Sequence, residues 1–430
     1  MTLRLNRRRF LMGSSALMAA GAVGLRPVLA QDGRIRLLFW GGQDRADRTY
    51  GVSDLFESQT GAAVDGEFLG WGDYWTKLGT QTAGGNAPDV MQMDYRYIVE
   101  YATRGAIAPL DEFVGEVLEL ADFDADQIEG GRVNDQLYGI SLGANSVAML
   151  NNLSAFEQVG IDPPDRNTTY ADWREMGEAF NSSDIGMKAL SDGSGVEPML
   201  DNWLRQQGLM LYTADGELGF GEDEAVEWFR MWQELREADI IVSAEQQALD
   251  TGGGLEATMV VQKLSASMPS NSNQLVAYQS LMEDDLSISS YPRIEPGSGG
   301  GHYRKPSMFF SVAGSSSAKE TAARFVNFFV NDVEAAEILG VERGIPCAEH
   351  VREALAPQLD EKSRIALEFV ANLDDLLGPL PPPPPPAAGE IDSSLLRTIS
   401  QEIAFGARSP EDGGRAFVEG ARDILSRASS

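Results

Sequence analysis

Nucleophilic, metal and acid–base chemistry each need particular side chains, and few of them occur in this sequence. Its 430 residues hold two histidines, His302 and His350, and one cysteine, Cys347. A zinc centre draws mainly on Cys and His, so a metal here would have to rest largely on carboxylates. A histidine-based triad has two candidate bases, and neither has a Ser or Cys in a nucleophile motif nearby; both read as surface or cleft-edge residues. One cysteine allows no disulfide within the chain. Asp44, Asp73 and Asp94 could supply the carboxylate pair of a glycoside hydrolase, which requires two acids about 5–10 Å apart across a sugar. With 65 Asp and Glu in the chain, however, chance pairs are common. The expectation is a protein that is not an enzyme and has no cofactor and no metal.

Those 65 acids face 34 Lys and Arg, a formal charge of −31. Nucleic acid and anionic lipid would be approached against a repulsive field, which excludes both as partners, and a soluble monomer is expected. At this length, with 43% hydrophobic residues, 7 Trp, 11 Tyr and 18 Phe, the chain can build two or three domains and still have aromatic rings to line a cleft.

The first thirty residues carry five Arg and no acid. Asn6-Arg7-Arg8-Arg9-Phe10-Leu11-Met12 leads into an apolar, small-residue stretch from Leu11 to Val23, then Val28-Leu29-Ala30 before Gln31. Basic, apolar and cleavage regions in that order predict a secretory signal removed near Ala30. The paired arginines before Phe-Leu resemble the twin-arginine export motif, with Asn6 where Ser or Thr is usual and Met12 where Lys is common. The apolar run falls short of the roughly 20 residues that span a bilayer, and no Cys lies near the cleavage region. The mature protein is therefore expected free in the periplasm.

The remaining chain reads as an open α/β sheet followed by a second, more helical part. Arg34 to Trp40 reads as a core strand stopping at Gly41-Gly42. Val52, Leu55, Phe56 and Gln59 form a helical stripe that Gly61 ends, and Ala62 to Phe68 reads as a second strand. Asp73 is placed to cap a helix carrying Tyr74, Trp75, Leu78 and Gln81, and Pro88 to Met93 reads as a short buried strand with Asp94 at its end. In such sheets ligands collect at the carboxyl ends of the strands, so Gly42, the segment 70–74 and the segment 94–96 should converge. Gln136 to Leu150 reads as an extended interdomain hinge. Stripes at Tyr170, Trp173, Met176 and Phe180, and at Ala225, Trp228, Phe229, Trp232 and Leu235, predict helices of a second lobe. Phe309 to Ala313 reads as a strand and Lys319 to Val330 as a helix. The run Pro381 to Pro386 must be extended, since proline lacks the N–H that helix and sheet need, and it reads as a stiff surface connector.

Several segments together resemble the extracellular solute-binding proteins of carbohydrate ABC importers, the family of the maltose-binding protein. They are Phe39-Trp40, the segment Gly70 to Leu78, Ala87-Pro88-Asp89-Val90 before Asp94, Leu137-Tyr138-Gly139-Ile140, Lys305-Pro306-Ser307 and Gly344-Ile345-Pro346. The resemblance implies an α/β fold, the two-lobed (type II) periplasmic binding protein fold, with a ligand cleft between lobes joined by hinge crossings. It places residues 31–142 with 286–310 in the first lobe and 143–285 with 311–430 in the second. It implies a non-catalytic receptor that closes on a carbohydrate and delivers it to permease subunits at the inner membrane.

Sugars present apolar C–H faces that pack on aromatic rings, and hydroxyls that need partners once buried. On that chemistry the candidate ligand-binding residues are Trp40, Trp71, Asp94, Tyr95, Arg96, Asn145, Trp203, Asn271, Asn273 and Arg343. Each has a plainer reading. Trp40 and Trp203 could be core residues, Asp94 a helix cap, Arg96 a partner of Glu100, Asn145 a backbone satisfier, and Arg343 a partner of Glu342 or Glu337. The resemblance implies an aromatic near Met268 to Gln274, where this chain has small polar residues, so Asn271 and Asn273 are expected to hydrogen-bond instead. The runner-up ligand is a polyamine or other cation held by acids and aromatics; a uronate would call for Arg96, Arg304, Lys305 or Arg343 at the cleft.

Overall fold

A computed structural model describes residues 33–250, 255–385 and 387–428; the expected signal, residues 1–30, and Pro386 lie outside them. Arg34–Trp40 forms the first strand and buries its last four residues in succession, as a strand covered on both faces must. It pairs in parallel with Ala63–Leu69 on one side and Val90–Met93 on the other. The helix Gln43–Thr60 joins the first two and ends at Gly61, whose φ of 78° is a left-handed cap that glycine takes without a Cβ clash. The next helix, Trp71–Ala83, opens one turn earlier than expected, at Gly70. Asp73 sits inside its first turn rather than at the cap, a place where a carboxylate still favours the helix dipole.

Five strands make the first sheet, in the order 63–69, 34–40, 90–93, 309–312, 140–141. Phe309–Val312 arrives from far along the chain and runs antiparallel to both its neighbours. A second sheet has the order 286–289, 147–152, 265–271, 188–190. Between Ile140–Ser141 of the first and Val147–Asn152 of the second, Ala144–Asn145 pairs with Lys305–Pro306 on the return crossing. The extended segment expected over 136–150 is therefore where the chain passes from one sheet to the other.

His302 ties these crossings together and is not at the surface. It is fully buried: its Nδ1 lies 3.3 Å from Ser146 Oγ and its Nε2 accepts the Tyr291 N–H at 3.1 Å. Burial, helped by the charges of Arg205 and Arg293, depresses its pKa to about 3, so the ring is neutral.

Each sheet has its own core, and the cores move both expected boundaries. Leu286–Ser289 pairs within the second sheet, not with the first lobe. The helices Lys319–Asn331 and Val333–Leu339 pack into the first core, not the second. Aromatic packing is the reason: Phe325 lies 5.3 Å from Phe56, and Phe329 lies 4.8 Å from Phe310, between ring centres. The second core is built on the expected stripes of Tyr170–Asn181 and Glu222–Glu237, with Trp173, Trp228 and Trp232 fully buried, and Phe417 of the last helix packs edge-on against Phe229. Among the described residues no helix is long and apolar enough to cross a membrane.

Candidate functional site

A cavity of about 280 Å³ opens where elements of the two sheets meet. Trp71 and the triplet Asp94-Tyr95-Arg96 line it from the first sheet, just past the carboxyl end of Val90–Met93, as the open-sheet rule requires. The helix Glu197–Gln206 contributes Glu197, Pro198 and Asp201, and the loop after it contributes Leu211 and Tyr212. Tyr303 and Lys305 come from the return crossing.

Trp71 is 44% exposed, while Trp40 beside it is 8% exposed. Their rings meet edge to face at 5.0 Å, and Trp75 lies 5.4 Å from Trp71. Tyr74, also against Trp40, donates its hydroxyl to the Gln92 carbonyl. Trp40 is thus the buried support of the group and Trp71 the ring that faces out, because it stands at the helix start between two glycines.

Asp94 does two things at once. Its Oδ1 accepts the Arg96 N–H at 2.9 Å, an Asx turn that leads into the helix Ile98–Thr103, and the residue lines the cavity. Glu100 pairs with Arg104 at 2.6 Å, so Arg96 is not drawn along its own helix; it lines the cavity, its charge acting on Glu197 and Asp392.

The second side of the cavity is acidic and partly dry. Burial, with the nearby charges of Asp392 and Asp201, pushes the Glu197 carboxyl up to about 7; a Tyr212 hydrogen bond at 3.2 Å and Arg96 oppose the shift. Burial raises Asp201 to about 6 against the pull of Arg205, 4.0 Å away. Asp392 is raised by burial too, opposed by Arg397 and Arg96. Burial also raises the phenols of Tyr95, Tyr303 and Tyr212, so all three stay protonated; Tyr95 and Tyr212 donate theirs to Pro381 and Glu197. Carboxyl acceptors, the Tyr303 hydroxyl and two cations, Arg96 and Lys305, around one exposed indole can hold a polar ligand that has an apolar face.

Pro381, Pro382 and Pro384 line the same cavity, so the proline run is not a surface connector. Tyr95 Oη donates to the Pro381 carbonyl at 2.8 Å, while Arg205 donates to the Pro379 carbonyl and lies 4.9 Å above the Tyr303 ring.

Four of the ten sequence candidates, Trp71, Asp94, Tyr95 and Arg96, come together here; the other six do not line the cavity. Trp203 is 2% exposed and packs on Trp228 in the second core. Arg343 is 4% exposed, donates to Thr49 Oγ1 at 2.8 Å, and lies over the rings of Phe39 and Phe329; Glu342 is its ion partner at 3.4 Å. Asn145 pairs with Lys305 in the crossing, its Oδ1 buried without a hydrogen-bond partner. Asn271 is exposed and caps the turn Ser272–Gln274, and Asn273 is exposed within it.

Glu197, Asp201, Tyr212, Tyr303 and the prolines line the cavity without standing among the ten candidates. Their signals, an acid pair one turn apart before Trp203 and the proline run itself, were in the sequence, but nothing local linked them to Asp94. Among the described residues no group of three His, Cys, Asp or Glu side chains is placed to hold a metal.

Comparison with known proteins bears on the family and the fold. A solved extracellular solute-binding protein family 1 from Alicyclobacillus acidocaldarius is 30% identical with a TM-score of 0.80, covering 91% of this chain and 98% of that one. A periplasmic oligogalacturonide binding protein from Yersinia enterocolitica shares the fold at 21% identity and a TM-score of 0.77, covering 92% of this chain and 100% of that one. A carbohydrate ABC transporter substrate-binding protein of Streptococcus pneumoniae is 35% identical over 117 residues, 26% of this chain; the match spans 23% of that relative. The family model for bacterial extracellular solute-binding proteins matches residues 52–364, well over half the chain. This α/β protein therefore belongs to the bacterial extracellular solute-binding proteins.

Proposed function

We propose that the protein is the capturing component of an ABC importer, that it is exported through its first thirty residues and works as a periplasmic monomer, and that its cavity takes a short sugar for delivery to a permease. The observation that carries the sugar reading is Trp71, 44% exposed in a cavity that it shares with Asp94, Arg96, Glu197, Asp201, Lys305 and three tyrosines, beside apolar Leu211 and the prolines. An indole face suits the C–H side of a pyranose, the carboxyls of Asp94, Glu197 and Asp201 supply acceptors for its hydroxyls, and Tyr303, Arg96 and Lys305 supply donors. The carbohydrate relative and the oligogalacturonide binding protein support the same class of ligand. Arg96 and Lys305 favour a sugar carrying a carboxylate.

A cationic ligand is the second reading, favoured by the charges of Asp201 and Asp392 acting on Glu197, a repulsion that a cation would relieve. Hydrolysis has less support. Asp44 is tied to Arg48 at 3.0 Å, Asp73 lies in an exposed helical turn, and Glu197 and Asp201 stand one turn apart on the same helix rather than on opposite sides of a bond.

A thermal-shift screen against neutral sugars, uronates, their short oligomers and polyamines tests this, since a ligand that binds only the folded state raises its stability. A rise confined to sugars is expected. A rise confined to polyamines would replace the sugar reading with the cationic one.

A further inference from the structure

The segment from Gly378 to Pro385 is held from every side. Gly378 N–H donates to the His302 carbonyl at 2.8 Å in the return crossing. Arg205 of the second core holds the Pro379 carbonyl, and Tyr95 beside the first sheet holds that of Pro381 at 2.8 Å. Gly130 leaves room for Leu380, since a Cβ there would come within 3.2 Å of its side chain, and Gly216 likewise abuts Pro385 at 3.3 Å. Between these anchors Pro381, Pro382 and Pro384 face the cavity.

We propose that the proline run is the specificity-determining wall of the ligand cavity, closing one side so that a mono- or disaccharide fits and longer chains do not; this rests on the sugar reading above. Proline lacks an N–H, so the wall offers a ligand only ring faces and carbonyl acceptors. Its extended form is set before a ligand arrives, so binding costs no ordering of this segment. A volume of about 280 Å³ is at the small end of ligand pockets, roughly 300–1,000 Å³. A flexible segment of equal length could yield to a third sugar unit, whereas a proline run tied down by Tyr95 and Arg205 cannot.

The test is titration calorimetry on the purified protein with two series of probes: glucose to maltotetraose, and galacturonic acid to its tetramer. Native protein is expected to bind the monomer or dimer of one series at least about ten-fold more tightly than the tetramer. In P381G/P382S/P383G/P384S that ratio is expected to fall about ten-fold while the circular dichroism spectrum is kept. P382A/P384A restores two N–H donors and backbone freedom with less disturbance, and serves if the fourfold variant does not fold. Native protein that binds tetramers as well as dimers, or variants that keep the native ratio, would overturn the wall alone. Native protein that binds no sugar in either series would overturn the sugar reading and the wall with it.

Discussion

Tyr212 donates its hydroxyl to Glu197 Oε1 at 3.2 Å, and that bond is too weak to keep the carboxyl at its ordinary acidity. Burial and two acidic neighbours outweigh it, leaving Glu197 at about 7. The unfolded chain gives up this proton near 4.5, whereas the folded chain holds it to about 7. Folding therefore gains from Glu197 at low pH and loses that gain as pH rises from about 4.5 to 7. Glu197→Gln keeps the acceptor for Tyr212 and removes the charge. The variant is expected to be more stable than native protein at pH 8 by on the order of 1–3 kcal/mol, with the difference shrinking by pH 5, as read from urea unfolding at both values.

His302 has the opposite sign. Its neutral folded form has a pKa of about 3 against an ordinary 6.5, so protons bind the unfolded chain first. Stability falls as pH drops from about 6.5 toward 3. The contribution lost by pH 4 is on the order of 3 kcal/mol. His302→Gln should flatten that part of the pH profile, even if it lowers stability at pH 7 by breaking the bonds to Ser146 and Tyr291. An unchanged slope between pH 7 and 4 would refute the assignment.

Trp71 and Trp40 touch but should separate in experiment. Trp71→Ala removes the outward ring and is expected to weaken ligand binding by about 1–3 kcal/mol, with a stability loss of about 0.5–1.5 kcal/mol from its ring contacts. Trp40→Ala opens a cavity under the group and is expected to cost about 3–5 kcal/mol of stability. Calorimetry for affinity and chemical denaturation for stability would distinguish them.

Arg343 should behave as a structural residue. Arg343→Ala removes the bond to Thr49 and empties the space over Phe39 and Phe329 while Glu342 keeps Arg45 at 2.7 Å, with an expected loss of about 1–3 kcal/mol in stability. A variant that folds at low temperature should bind the ligand within about two-fold of native protein, since distant sites act independently. A selective loss of affinity with normal stability would return Arg343 to the site.

Local pattern determined much of this protein. Continuous apolar runs at Leu37 to Trp40 and Val90 to Met93, the stripes around Trp173 and Trp228, and Gly61 after Thr60 fixed strands, helices and an end cap, because burial period and left-handed backbone are read over a few residues. The rule that ligands gather past strand ends likewise singled out Trp71 and Asp94 to Arg96, which line one cavity, without any long-range contact. Tertiary structure alone decided the rest. Whether Trp40, Trp203 or Arg343 faces a cleft or a core depends on what packs over it: the neighbours are Trp71, Trp228 and Phe329, distant in sequence or supplied by another element. Helices 319–331 and 333–339 joined the first core because Phe325 and Phe329 met Phe56 and Phe310, a match that no local window contains. The acids at Glu197 and Asp201 and the prolines from 381 onward became one wall with Asp94 only when the chain had crossed three times between sheets. Side-chain type and spacing set what each segment could be, and burial by partners remote in the chain set what it became.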